Sequence, residues 1–253
     1  MPVSTVAAGQ TYFLSNVGST VIPAFTGGTL QVDGNLNVNH TTDAAFTITG
    51  SDGTIDQNGR TSTFNGVFSD DIAGTPGDLN VINTGTANQG SVTLTAVNTY
   101  TGATTVGAGA TLALGGTGSI AESSSVTNNG TFDLTAASGN VAIKNYTQSS
   151  GATLRMNISD TPSSSQKVEV DGTASLNGTL NLSAAAGSYR PARYTLMTAT
   201  GQRSGEFTAV NLTTNYNYSV GYDDHNVYLY LRSTAADTMA SIRAMGADLH
   251  KVY

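Results

Sequence analysis

The chain contains no cysteine. Outside the cytoplasm no disulfide can therefore staple it, and the stacking of its own elements must carry its stability. Charge is scarce as well: charged residues make up 11% of the 253, against about a quarter in ordinary soluble domains. Neutral polar side chains must supply the solubility. Basic residues are scarcest early on, Arg60 being the only one before Lys144. With a net charge of −7, this distribution argues against nucleic acid or an anionic membrane as partner. No apolar run approaches the ~18 residues of a spanning helix, and Met1-Pro2-Val3 opens neither a basic nor an apolar leader segment. The expectation is that the chain as it stands carries no export signal and no membrane span. Disorder is excluded by the same composition, because disordered chains combine high charge with few β-branched residues, and this one is rich in Thr and Val.

Recognisable chemistry is equally sparse. The acidic pairs Asp70-Asp71 and Asp223-Asp224 fall on neighbouring positions, which point to opposite faces of a strand, so neither makes a general acid/base couple. Asp223-Asp224-His225-Asn226 reads as a hairpin turn between two aromatic strands, while His40 and His250 each stand alone. No Gly-x-Ser-x-Gly elbow occurs, and Gly115-Gly116-Thr117-Gly118 lacks the Asp of a calcium-binding nonapeptide. Gly107-x-Gly109 has no following helix or phosphate-loop Lys. The expectation is no catalytic residue, no metal site and no cofactor. A β-helical polysaccharide lyase or hydrolase is the rival from the enzyme class. It would need basic residues or clustered carboxylates on one face, and the first 143 residues hold one Arg.

What the chain does have is repetition. Asn98 to Leu114 holds two short runs in which small polar residues alternate with Val or Leu, separated by Gly107-Ala108-Gly109. That alternation is the pattern of strands with one buried face. Its second half, Ala110-Thr111-Leu112-Ala113-Leu114, recurs in altered form from Gly28, Gly90, Gly130, Ala152 and Gly178. A small residue makes the corner, a hydroxyl follows, and two apolar residues flank a variable one. The later copies begin roughly 20 to 26 residues apart, the period of a solenoid whose turns are each too small to bury their own apolar face. Stacked turns bury it instead, bonding at about 4.8 Å spacing. Leu112, Phe132 and Leu154 are then predicted to share one buried column.

Asn98-Thr99-Tyr100-Thr101-Gly102, followed by Thr104-Thr105-Val106 and Thr111-Leu112, closely resembles the transport-associated repeat of autotransporter passengers, the surface-exposed parts of Gram-negative type V secretion proteins. A second resemblance covers roughly residues 150 to 231. Leu154-Arg155-Met156-Asn157, Lys167-Val168-Glu169-Val170, Gly172 to Leu180, Tyr194-Thr195-Leu196-Met197 and Gly205-Glu206-Phe207 are similar to the autochaperone region that ends many such passengers. The resemblance is strongest over the last 160 residues and loose before position 85.

The resulting expectation is an all-β chain: a right-handed parallel β-helix with a C-terminal hairpin-type cap and a short terminal α-helix. Residues 1–143 would form coils, with strands over Thr11 to Leu14, Thr29 to Val38, Phe46 to Ile48, Gly53 to Ile55, Thr63 to Phe68 and Leu79 to Ile82. Residues 144–232 would form the autochaperone-like cap, where basic and aromatic residues gather and longer strands run over Tyr194 to Thr198, Tyr216 to Tyr222 and Val227 to Leu231. Over 233–253, Met239, Ile242, Met245, Leu249 and Val252 recur at helical spacing. The resemblance implies that this helix leads into an outer-membrane β-barrel, absent from this chain; otherwise it packs on the cap or frays. By the same resemblance the chain is a fragment of a larger precursor, displayed at the cell surface and anchored at the outer membrane. Its function would be to fold, secrete and present the passenger, with its own barrel and the assembly machinery as partners. The alternative is an adhesin or self-association module that binds host glycan, host protein or another copy of itself.

Overall fold

The computed structural model describes residues 4–18, 21–34, 39–71, 74–86, 90–213 and 216–232. The helix expected over 233–253 lies outside them. The described residues form an all-β architecture dominated by long parallel sheets. A nine-stranded sheet runs through Thr11–Phe13, Thr29–Gln31, Gly53–Asp56, Leu79–Ile82, Thr104–Val106, Val126–Asn128, Tyr146–Gln148, Ala174–Leu176 and Arg203–Gly205, in chain order. An eight-stranded sheet runs alongside it through His40–Thr42, Ser62–Phe64, Val92–Leu94, Thr111–Gly116, Thr131–Ala137, Thr153–Ile158, Thr179–Ala184 and Ala209–Leu212. A third side is closed first by a four-stranded sheet, Thr5–Ala7, Ala24–Thr26, Phe46–Ile48 and Phe68–Asp70. Further along it is closed by a five-stranded sheet with strands at Val141–Ile143, Val168–Val170, Ala192–Ala199, Asn226–Arg232 and Asn217–Tyr222. The chain visits these sides in rotation, so each strand pairs with its counterpart one turn later, an arrangement consistent with a β-helical path.

The register confirms the slot pattern of the repeats. Leu112 pairs with Phe132, Phe132 with Leu154, and Leu154 with Leu180. All four are at most 1% exposed, and burying each of these side chains contributes about 1.5–3 kcal/mol. Toward the N-terminal end the interior is filled by Phe rings. Phe46 and Phe68 stack with centroids 4.9 Å apart, and Phe64 meets Phe68 edge-on at 5.5 Å.

Corners are as tight as the small residues require. A Cβ on Gly77 would lie 1.9 Å from Thr49 O, and one on Gly102 would lie 2.0 Å from Gly77 O. Only glycine lets one turn settle on the last at these positions. The Asn58-Gly59 corner takes positive φ at both residues, 49° and 69°.

Three expectations about strands need correction. Thr29 to Val38 ends as a strand at Gln31; Val32, Asp33 and Gly34 lie outside it, and 35–38 fall outside the described residues. Thr63 to Phe68 is not one strand: Ser62–Phe64 and Phe68–Asp70 belong to different sheets. The break falls at Gly66, where a Cβ would lie 2.0 Å from Ala44 O. Nor does Thr11 to Leu14 continue as a strand, since Leu14–Asn16 is a 3-10 turn that buries Leu14.

Candidate functional site

The end formed by residues 192–232 departs from the rule of the rest. Ala192–Ala199 pairs antiparallel with Asn226–Arg232, which pairs antiparallel with Asn217–Tyr222. Alternating aromatic and aliphatic residues build this hairpin: Val227, Leu229 and Leu231 face the core, while Tyr228 and Tyr230 lie on the outer face. Reversal comes at Asp223-Asp224-His225-Asn226, as the sequence suggests. The Asp223 carboxylate accepts the His225 N–H at 2.9 Å, the Asn226 N–H at 2.7 Å and the Tyr228 hydroxyl at 2.9 Å. The His225 N–H, with these other donors, holds that carboxyl down at about 2. The fork of donors stabilises the charged form and fixes the turn.

The hairpin also closes the outermost parallel strands. Arg203–Gly205 and Ala209–Leu212 lie at the edges of the two long sheets, where unpaired backbone groups invite other chains. Here the Tyr218 hydroxyl donates to Val210 O at 2.9 Å, and Arg203 donates its backbone N–H to Asp224 O at 2.7 Å and its Nε–H to Asp223 O at 2.6 Å. The Tyr216 hydroxyl donates to Tyr189 O, and the Tyr189 hydroxyl sits 2.8 Å from Ile158 O. These bonds tie the hairpin to both edge strands and satisfy the Val210 carbonyl and the Arg203 N–H.

Beside the hairpin, Lys167, Arg193, Asn140, Ser163, Ser165 and Thr195 line a shallow polar groove of about 310 Å³. Lys167 Nζ pairs with Glu169 Oε1 at 2.8 Å, and the Asn140 amide donates to the same oxygen at 3.1 Å. The Arg193 guanidinium lies over the Tyr228 ring, 4.8 Å from its centroid. Sequence reasoning noted the gathering of basic residues here but not this groove, whose walls come from strands more than one turn apart.

The acidic pair Asp70-Asp71 is divided between two structural tasks. Asp70 accepts the Thr101 N–H at 3.0 Å and its hydroxyl at 2.7 Å, whereas Asp71 accepts the Thr75 N–H at 3.3 Å. His40 stands opposite Ser62 in register. Its Nε2 and the Ser62 Oγ are buried without a hydrogen-bond partner among the described residues, so no hydroxyl–imidazole bond of the kind that activates a serine joins them. Among the described residues no group of three or more His, Cys, Asp or Glu side chains converges as metal ligands would. Among them, too, no helix is long and apolar enough to cross a membrane.

One carboxylate that the sequence does not single out is Asp56, 1% exposed. It accepts Gln31 Nε2–H at 2.7 Å, the Thr84 hydroxyl at 2.5 Å, and the N–H groups of Asn58 and Thr84 at 2.9 Å each. Burial pushes its pKa up, but the bonds from Thr84, Gln31 and Asn58 outweigh this and hold it below the ordinary carboxylate value. Asp56 therefore stitches three successive turns together as a charged acceptor. The chain matches no known family model, and no curated protein matches it.

Proposed function

We propose that the chain is the membrane-proximal part of an autotransporter passenger: a right-handed parallel β-helix closed by an autochaperone cap, which folds outside the cell and templates the coils that follow. The observation that carries this reading is the antiparallel hairpin at the C-terminal end. That hairpin is tied to the two edge strands, Tyr218 donating to Val210 O and Arg203 donating to Asp223 O. On this reading such a capped piece folds first and offers its parallel edge to the next coil. The free energy of that stepwise folding would help draw the chain outward. The Asn98-Thr99-Tyr100-Thr101-Gly102 repeat and the order of motifs from Leu154 to Phe207 support the same assignment.

On this reading the gene continues downstream into an outer-membrane barrel of about 10 to 14 amphipathic strands. Deleting residues 151–231 from that precursor leaves barrel insertion intact but makes the displayed passenger sensitive to added protease. A deleted passenger that reaches the surface folded and resistant would reduce this region to ordinary stalk.

A further inference from the structure

The polar groove beside the hairpin is unlike the rest of the surface. Before Lys144 the chain holds one basic residue, whereas here Lys167 and Arg193 line a single concavity. Their charges are not equally committed. Lys167 is paired to Glu169. Arg193 is exposed, and among the described residues it makes neither an ion pair nor a hydrogen bond; it rests only on the Tyr228 face. An exposed guanidinium held by a ring, with its donors turned to no acceptor, is poised for an incoming anion.

The surroundings narrow the class of that anion. The groove is lined by hydroxyls and an amide, from Ser163, Ser165, Thr195 and Asn140, groups that exchange hydrogen bonds with other hydroxyls. One wall is prebuilt: Ser159 N–H donates to Ser165 Oγ at 2.8 Å and its hydroxyl donates to Thr161 O at 2.7 Å, fixing the Pro162–Ser164 turn. Such preorganisation lowers the cost of binding. Across Pro162 lies a second groove of about 440 Å³ whose wall carries both Arg190 and the Asp160 carboxylate, so its charge is mixed and the first groove is the one suited to an anion. A cation set among hydroxyl and amide partners fits an anion that carries hydroxyls of its own, a sugar bearing a carboxylate, better than a bare anion, which would need the cation alone.

We propose that this groove binds an acidic oligosaccharide, with Arg193 receiving a uronate carboxylate and Asn140, Ser163, Ser165 and Thr195 exchanging hydrogen bonds with the sugar hydroxyls. The proposal is independent of the secretion reading, since it rests on the groove alone.

The test is a titration of the full chain, followed by amide chemical shifts, with three probes: a tetragalacturonate, neutral maltotetraose and sodium sulfate. The expected result is saturable shifts at Asn140, Ser163 and Thr195 with the tetragalacturonate, weakened by added salt. Arg193→Gln should bind about tenfold more weakly, a change of ~1.4 kcal/mol. Arg193→Lys should recover part of the loss. Lys167→Gln serves as a second variant, expected to lower affinity less because Lys167 is already paired. Circular dichroism melts of each variant certify the fold. Equal binding of maltotetraose overturns the anion contact, and equal binding of sulfate overturns the saccharide. Wild-type affinity in Arg193→Gln, or no shifts with tetragalacturonate, overturns the site.

Discussion

Asp52 Oδ1 accepts the backbone N–H of Asp78 at 2.8 Å, and one turn on, Asp78 Oδ1 accepts that of Ala103 at 2.7 Å. No described cation pairs with either carboxylate. The acids serve as acceptors for the corner N–H groups left over where Gly77 and Gly102 bring successive turns together. Asp78→Ala should then cost about 1–3 kcal/mol, because it strands a half-buried N–H. Asp78→Asn, which keeps an oxygen in place, should cost much less. Equal losses in thermal unfolding would mean that charge rather than acceptor geometry matters at this corner.

The inward and outward slots can be told apart with one pair of variants. Leu180 is fully buried between Leu154 and Val210, while Thr179 beside it is half-buried on the other face. Leu180→Asp should cost several kcal/mol, since an unpaired carboxylate enters a dry core. Thr179→Asp should stay within about 1 kcal/mol. Comparable drops in melting temperature would reverse the assignment of faces.

Glycine positions should divide just as sharply. At Gly102 an added methyl meets the Gly77 carbonyl, so Gly102→Ala should force successive turns apart and lower the melting temperature markedly. At Gly151 an added Cβ has nothing within 4 Å and φ is not in the left-handed region. Gly151→Ala should be neutral or stabilising by about 0.4–1 kcal/mol. A Gly102→Ala protein that melts like the wild type would show that the turns are less closely stacked than drawn here.

Acid should loosen the stack at Asp56. A carboxyl whose native pKa lies below its unfolded value of about 3.9 binds its proton less readily when folded. Its contribution to stability is complete above that value and is lost as the pH falls through the native pKa. Asp33 and Asp223 are displaced in the same direction, so unfolding free energy should be flat from neutral pH down to about 5 and fall below about 4. Asp56→Asn should be less stable at neutral pH and show a shallower acid limb. An unchanged acid limb would remove Asp56 from the account.

The cap should be the half that stands alone. Residues 151–231, carrying the hairpin and its tyrosine ties, are expected to unfold cooperatively and resist protease when expressed as a fragment, with 1–140 the less stable piece. Denaturant melts of the two fragments decide this, and a more stable 1–140 would reverse the proposed order of folding.

Much of this architecture was legible because the repeats carry it locally. The slot shared by Leu112, Phe132 and Leu154 follows from a small corner residue, a hydroxyl and an alternating pair, all within five positions. The hairpin turn at Asp223 was legible for the same reason. Thr63 to Phe68 misled because Thr, Phe and Val suit a strand wherever they stand, and the sharp turn at Gly66 depends on Ala44, a turn earlier. Asp56 was invisible as a buried residue, since its acceptors are satisfied by Gln31 and Thr84, 25 and 28 positions away. The groove at Arg193 was hidden likewise: Asn140, Lys167 and Thr195 are brought together by strand order, which composition cannot report.

The in-register pairing of like slots makes length a countable quantity. Each added turn advances the two long sheets by one strand, about 4.8 Å, and presents to the next turn the same sequence of small, hydroxyl and apolar positions it received. Loss of a whole unit, such as Ala110 to Asn129, would join Gly109 to Gly130, and its duplication would join Asn129 to Ala110, in either case with the columns in step. Partial losses would throw all later side chains onto the wrong face. The molecule is in this sense a ruler graduated in turns, whose reach can be altered by recombination in whole steps while its closed end stays the same.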